Sequence, residues 1–598
     1  MQVIATAGHV DHGKTTLVRV LTGMEPDRWA DEQRRGLTID LGFGWLTLPS
    51  GQQVAFVDVP GHERFVPNML AGVGAVPAVL FTVAADEGWM PQSAEHLAAV
   101  DALGIRHGLL VITKSDLADP AGARDQALGL IAATSLGRVP VAEVSAATGQ
   151  GLPGLTAALA ALASGLPEAD PGAPVRLWVD RAFSIRGSGT VVTGTLAAGT
   201  LTERQELLLA PGMEPVRVRG LESLGKPVRE VTGVARVAVN LRGADRARPA
   251  RGMALVQPGG WTVTSVLDVR LAAAPGRPPP QLALHIGAAR TVARVRLLGG
   301  RIARLTLRGA LPLHVGDRVL LRDPGSAARY QVTQRPGWPA VLGATVLDVS
   351  PPPFGQRGAA TTAARELASW PARPGPAELL RRHGLLRGGA LRAMGLPDGP
   401  APVAGDWLAD PQYWAGLRQR LAGAAAAHAA RNPLAPGLPL EAARAELALP
   451  ARELVEPLAG PPLAVRAGCV QPAAGGTGPV LPVAVLAAVR ALRADLDRHP
   501  FAAPEAGRLR ELGLDARALA AAARAGLLLR IADQVVLAPG ADAAAARLLA
   551  GLPEPFTATQ ARQALGTTRR VVIPLLEYLD RAGRTRRLPD DRRVLNRA

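Results

Sequence analysis

Over the first 165 residues, apolar runs of four to six residues alternate with longer amphipathic stretches. Val3–Ala7, Val54–Asp58, Val79–Ala84, Leu109–Thr113 and Val141–Val144 are too short for buried helices and read as buried strands. Lys14–Leu21, Gln92–Leu103 and Leu152–Leu162 carry helical patterns between them. Strand and helix in alternation predict a mostly parallel α/β sheet, here assigned to a first domain, residues 1–170.

The pattern changes after the Gly/Pro-rich stretch Gly165–Pro174. From Val175 to Val349 the runs are short, β-like and punctuated by Gly and Pro, which predicts two β-barrels, 175–258 and 261–350. Beyond Thr361 the chain is rich in Ala, Leu and Arg and reads as helical, with a degenerate repeat. Residues 515–538 and 567–595 each read as a helix followed by a tight hairpin, preceded by short helices at 485–498, 504–512 and 557–565. Helices closed by a hairpin make a winged helix, a helix-turn-helix variant. Weaker copies fall at 374–410 and 437–472, with a connecting helix at 411–430. Four units are expected, at 365–430, 431–475, 480–540 and 541–598. The fold class is therefore multidomain: an α/β domain, two β-barrels and a C-terminal all-α/α+β winged-helix array.

Composition adds two constraints. A single cysteine, Cys469, excludes a disulfide framework and a cysteine-rich zinc site and fits a reducing cytoplasm. No charge-free apolar run of membrane-spanning length occurs, and the apolar start has no basic leader pattern, so a cytoplasmic monomer without membrane contact is expected. The net charge of +17 is unevenly spread. Residues 1–170 carry 10 basic and 18 acidic side chains, 171–360 carry 26 and 11, and 361–598 carry 31 and 21. Basic later domains behind an acidic first one point to a polyanionic partner, nucleic acid above all.

Of 67 basic side chains only three are lysines, Lys14, Lys114 and Lys226. The first two lie in motifs. Residues 8–15, GHVDHGKT, follow the first strand and open the first helix, the setting of a phosphate loop. Backbone N–H groups from Val10 through Asp11, His12, Gly13, Lys14, Thr15 and Thr16 are expected to cradle phosphate, and the Thr15 hydroxyl to bind Mg²⁺. A compact ammonium fits that cradle where a planar guanidinium is too wide. Four further matches follow in order. Thr38 supplies a second hydroxyl to Mg²⁺. In DVPGH (58–62), Asp58 holds a Mg²⁺-bound water and Gly61 meets the γ-phosphate. In TKSD (113–116), with Thr113 and Lys114, Asp116 accepts the two N–H bonds that guanine offers and adenine lacks. Ser145-Ala146 lies where a backbone N–H can meet the guanine carbonyl. This set predicts a GTP/GDP site. Thr113 stands where most GTPases have Asn, which puts the bracing of the phosphate loop in question. His62, beside the γ-phosphate position, is the candidate that orients the attacking water.

The DxPGH form, RGxT and AADEGWMPQSAEH (84–96) resemble translational GTPases. RRGLTIDLGF (34–43), WVDRAFSIRGSGTVVTGTL (178–196) and the winged-helix array are similar to the selenocysteine-specific elongation factor (SelB) family. That resemblance implies a ribosome-stimulated GTPase delivering selenocysteinyl-tRNA to UGA codons beside an mRNA hairpin. It implies Val10 as part of an apolar gate before the water. It matches Asp40, Arg181 and Arg236 to a cationic selenocysteine pocket, apt for a side chain that is a selenolate at neutral pH. It assigns the hairpin to the last unit, where residues 551–598 carry ten arginines and five acids. Arg569 and Arg570 open its recognition helix, and Arg584, Arg586 and Arg587 lie in its wing, suited to phosphates beside a loop or bulged base. The winged-helix array argues against a general elongation factor. The missing cysteine cluster argues against the gamma subunit of the archaeal and eukaryotic initiation factor. The barrels and the PGH element argue against a GTP-regulated DNA-binding protein.

Overall fold

The structure is a computed structural model and describes all residues except 27–37, 63–64, 75, 186–188, 244–247, 324–337, 474–480 and 597–598. The first four residues of RRGLTIDLGF and three of the 178–196 motif thus lie outside the described residues. The chain forms two compact units, Met1–Ala401 and Pro402–Ala598.

The first unit begins with β1 (Gln2–Gly8), α1 (Lys14–Thr22), β2 (Gly42–Thr47), β3 (Gln53–Asp58), α2 (Val66–Val73), β4 (Ala78–Ala84), α3 (Pro91–Leu103), β5 (His107–Thr113), α4 (Ala121–Ala132), β6 (Val141–Glu143) and α5 (Leu152–Gly165). The strand order is β2-β3-β1-β4-β5-β6. All neighbours are parallel except β2, which runs antiparallel to β3 with Gly42 opposite Asp58. Alternation along β1 builds a core on each face. Ile4 packs with Phe56, Leu80, Leu109, Leu17 and Leu155 under α1 and α5. Val3, Ala5 and Ala7 pack with Val57, Phe81, Met69, Val100 and Ile131 under α2, α3 and α4. The apolar pattern does not single out β2, an edge strand interrupted by Gly42 and Gly44, which pack their backbones against Pro26, Thr22 and Val18.

Two antiparallel barrels follow. Strands from Arg176–Trp178 to Ala254–Val256 close through the pairing of Glu206–Ala210 with both Glu214–Ser223 and Ala254–Val256. Strands from Thr262–Leu271 to Val341–Asp348 form a second closed barrel. Helices Ala359–Ser369, Pro376–His383 and Gly388–Ala393 complete this unit. Arg382, 3% exposed, ties them to the second barrel by ion pairs to Asp268 (2.6 Å), Asp348 (3.2 Å) and Glu366 (3.1 Å). Arg304 also pairs with Asp268, bidentately at 2.7 and 2.9 Å. A buried arginine is tolerable only when so paired. This lock keeps residues up to Ala401 with the barrels, so the division of the chain falls inside the stretch 365–430.

In the second unit a long helix, Pro411–Arg431, precedes short helices Leu440–Glu446 and Val455–Leu458 and a hairpin, Leu463–Arg466 with Cys469–Pro472. Two further sets of three helices and a hairpin follow. The first is Val483–Arg498, Ala506–Glu511 and Ala516–Arg524 with Leu529–Ala532 and Val535–Leu537. The second is Ala541–Leu549, Ala558–Ala564 and Arg569–Arg581 with Thr585–Arg587 and Arg593–Leu595. Asp515 caps the helix Ala516–Arg524, and Thr557 with Gln560 forms a capping box at Ala558–Ala564. The winged-helix pattern predicts a separate core for each set. The structure instead gives them one core, in which Leu492, Leu519 and Val536 join Phe556, Leu575 and Leu579. Thr567 Oγ1 donates to Phe501 O, and Arg570 Nη2 donates to Ala503 O and Pro504 O, across the same seam.

A fragment of residues 480–598 is therefore expected to unfold in one transition, since its two halves bury their apolar faces together. Phe556→Ala, in the middle of that core, should lower its stability by roughly 3–5 kcal/mol. Two separate transitions in calorimetry of the fragment would contradict the shared core.

Candidate functional site

The ends of β1, β3 and β5 bring the phosphate-loop motifs together. Asp58 closes β3, and its carboxylate accepts from Thr6 Oγ1 at 2.7 Å and from Thr15 Oγ1 at 2.6 Å. Thr38 Oγ1 lies 2.8 Å from Thr15 Oγ1. Two hydroxyls and a carboxylate thus converge at the start of α1, a hard-oxygen donor set suited to Mg²⁺. Gly61 packs against the loop so closely that a Cβ would lie 2.5 Å from Lys14 Nζ and 2.5 Å from Val10 N, so only glycine fits there. His62 follows it, with its ring 5.9 Å from that of Phe65.

Lys14 is 6% exposed, and its ammonium donates to the carbonyls of Gly8 and His9 inside the loop. Burial pushes its pKa down to about 8, against the partial support of Asp58 and Asp11. Thr113 settles the bracing question that its departure from Asn raised. Its hydroxyl donates to His12 O at 2.9 Å, so a threonine still ties the end of β5 to the loop. His12 is buried, its Nδ1 3.3 Å from Thr82 O, and burial lowers its pKa to about 4, so the ring is neutral.

Sequence reasoning overlooked two residues that hold the loop from α3. Gly8 N–H donates to His96 Nδ1 and Val10 N–H donates to Gln92 Oε1, each at 3.1 Å. Val10 N–H is thus engaged by a side chain, which corrects its expected place as a phosphate donor. The four-residue spacing of Gln92 and His96 inside AADEGWMPQSAEH is the signal that could have marked one helix face.

At the base side, Lys114 Nζ pairs with Asp86 at 3.1 Å and Glu87 at 2.8 Å. Asp116 is exposed at the same turn. Ser145 N–H donates to Gln150 O at 3.0 Å. That leaves Ala146 as the N–H of the pair for a ligand carbonyl.

The pocket residues also meet. Arg181 Nη2 lies 3.4 Å from Asp40 and donates to Leu41 O at 3.0 Å. Arg236 is paired with Asp180, its Nη2 2.9 Å from Oδ1, and lies over the Phe43 ring at 3.8 Å. Arg181 approaches the same ring at 5.5 Å. Both arginines line a cavity of about 560 Å³ with Phe43, Trp45, Thr193 and Leu224. Arg251, which the sequence reading missed, takes the other oxygen of Asp40 at 2.9 Å. Three guanidiniums face the carboxylates of Asp40 and Asp180, and Glu222 also lines the cavity, so the charges are paired around it.

The comparisons agree across the chain. Residues 1–165 match the elongation factor Tu GTP binding domain, 274–333 the beta-barrel domain of selenocysteine-specific elongation factor, and 547–594 the winged helix of elongation factor SelB. The selenocysteine-specific elongation factor of Desulfomicrobium baculatum is 38% identical over 54% of this chain and 53% of its own. Elongation factor Tu 2 of Streptomyces avermitilis is 34% identical over 43% of this chain and 72% of its own. A crystal structure of a bacterial selenocysteine-specific elongation factor superposes with a TM-score of 0.78 and 26% identity, covering 100% of both chains. The chain belongs to the elongation factor Tu family of translational GTPases and is similar to selenocysteine-specific elongation factors. Its match spans about half the length of the curated selenocysteine-specific relatives.

For this family member the last winged helix sorts its arginines. Arg569 is exposed at the start of the helix Arg569–Arg581, and Arg586 is exposed in the wing. Arg584 pairs with Asp542 at 3.5 Å and Arg587 with Asp591 at 2.5 Å, both half-exposed contacts. Such pairs contribute about 1 kcal/mol or less, so a phosphate can displace them. Arg570, also exposed, differs in that its guanidinium donates to the carbonyls of Ala503 and Pro504.

The low pKa of Lys14 has a sign that can be checked. Its folded value, about 8, lies below the ordinary lysine value of 10.5, so the folded nucleotide-free chain binds fewer protons than the unfolded chain between these pH values. Stability of the nucleotide-free protein should rise with pH across that window. Nucleotide affinity should move the other way. It should be flat below about pH 8 and fall above it, as the phosphates must then recruit a proton to Lys14. Titration calorimetry of GTP binding from pH 7 to 9.5 tests this, with Lys14→Met removing the dependence.

Proposed function

We propose that this protein binds GTP with Mg²⁺ and hydrolyses it to GDP and phosphate when the ribosome stimulates it. In this reading it delivers selenocysteinyl-tRNA to UGA codons in the cytoplasm, as a monomer tethered to an mRNA hairpin through its last winged helix. The observation that carries the proposal is the cavity itself. Two guanidiniums, Arg181 and Arg236, over the ring of Phe43 on the strand that follows Thr38 and Asp40 support the reading of this cavity as the pocket for an anionic side chain.

The chain's own residues divide the work. Backbone N–H groups from Asp11 to Thr16, with Lys14, bind the phosphates. Thr15, Thr38 and Asp58 would hold Mg²⁺, which would supply positive charge against the phosphates. Asp116 and Ala146 read guanine, Lys114 and Thr113 shape that loop, and Ser145 supports Ala146. His62 orients the attacking water. Arg181 and Arg236 favour a selenolate over the hydroxyl of seryl-tRNA, with Asp40 and Asp180 holding the guanidiniums in place. Arg569, Arg584, Arg586 and Arg587 bind RNA phosphates.

His62→Ala should leave GTP affinity near the parent value and lower ribosome-stimulated turnover by at least ~10²-fold, the scale of a positioned catalytic group. Normal hydrolysis by this variant would remove His62 from the mechanism.

The pocket is tested by comparing selenocysteinyl- and seryl-tRNA. Arg181→Glu places a carboxylate beside Asp40, and Arg236→Gln removes one of the two cationic faces. Both should weaken selenocysteinyl-tRNA binding at least ~10-fold more than seryl-tRNA binding, as expected for desolvated charge pairs. Equal losses for the two tRNAs would assign these arginines to the tRNA backbone or to packing.

A further inference from the structure

Helix α3 touches two things at once. Its first turns hold the phosphate loop through Gln92 and His96, one helical turn apart on the same face. Between them, on the flank, Glu95 pairs with Arg322 of the second barrel at 3.2 Å, both side chains nearly buried. The far end of α3 is seated on the same barrel without room to spare. A Cβ on Gly343 would lie 2.5 Å from Ala102 O, and a Cβ on Gly104 would lie 2.3 Å from the Arg318 guanidinium. The helix is thus clamped between the barrel and the backbone that is to cradle phosphate.

Both loop contacts need a specific acceptor. A protonated imidazole has no acceptor nitrogen. His96 is 1% exposed, and burial holds its pKa well below the usual histidine value, so Nδ1 keeps its lone pair for Gly8 N–H. Neither contact survives a shift of α3 of an ångström or more, because an N–H···O or N–H···N bond weakens steeply with misalignment. The loop can therefore hold this shape only while α3 sits where the barrel puts it.

We infer that Gln92 and His96 are positioning residues for the phosphate loop, and that the Glu95–Arg322 contact makes nucleotide retention depend on the seating of the second barrel. The barrel then acts as a built-in control of nucleotide release: docked, it fixes the loop for phosphate; displaced, it frees Gly8 and Val10 and loosens the cradle. The inference rests on the guanine-nucleotide reading of the site and adds its regulation.

Release of fluorescent GDP and GTP analogues from the full chain, followed by rapid mixing, tests it. Arg322→Gln, Glu95→Gln and Gln92→Ala should each speed release of both nucleotides by about fivefold or more, the lower end of usual coupling between sites. The double variant Glu95→Gln with Arg322→Gln should release no faster than the faster single variant, because the two act through one contact. The exchanged pair, Glu95→Arg with Arg322→Glu, should bring the rate back toward the parent, which loss of stability alone would not do. Release within about twofold of the parent in Arg322→Gln, Glu95→Gln and Gln92→Ala alike overturns the inference while leaving the GTP reading intact. A parent chain that retains neither nucleotide overturns the GTP reading and this inference with it.

Discussion

The Asp58 carboxylate is the point on which the nucleotide site depends. One oxygen takes the Thr6 hydroxyl of β1 and the other takes the Thr15 hydroxyl of α1, while Thr6 in turn accepts the N–H of Val59. A fully buried carboxylate must find such partners or lose its charge. Satisfying it fixes the end of β3 against the end of β1, and so sets where Gly61 and His62 leave the sheet. Thr38 then reaches the Thr15 hydroxyl from the preceding loop. Two hydroxyls meeting at one carboxylate, with a third against one of them, thus set much of what faces the phosphate position.

The arginine excess has two physical roles. Much of it is internal. Arg176 pairs bidentately with Asp317, at 2.6 and 2.9 Å, and lies 4.1 Å over the Trp261 ring, joining the two barrels. Arg270 caps the carbonyls of Leu367, Trp370 and Pro371. Arg382 and Arg304 are likewise spent on the fold. A planar fork with five donors suits these tasks better than an ammonium. The charge of the later domains therefore overstates the surface offered to a polyanion, and the useful remainder lies in particular places such as the final wing.

The pocket shows the same division. The charges of Arg181 and Arg236 follow from composition. Their value depends on Phe43, which a strand after Thr38 carries under both guanidiniums. Aromatic and carboxylate neighbours hold the arginines in fixed orientation and partly dehydrated, where a cation discriminates between ligand charges more strongly than it does in water.

The sequence by itself determined the order of the elements and the nucleotide motifs. Period-two and helical patterns act over a few residues, and phosphate-loop, DxPGH and TKSD spacings are local because each sits on one strand end. The capped helices and hairpins of the last two winged helices were legible for the same reason. Only the tertiary structure decided what depends on chain segments far apart. Gln92 and His96 reach Val10 and Gly8 from 82 and 88 residues away. Arg251 reaches Asp40 across 211 residues, and Arg570 donates to carbonyls 66 and 67 residues upstream. The two last winged helices share a core because the faces of both are apolar, and nothing in either local pattern says which apolar face will cover it. A local period states that a side chain is buried or basic; its partner is chosen by packing, where the whole chain competes for the same volume and the same hydrogen bonds.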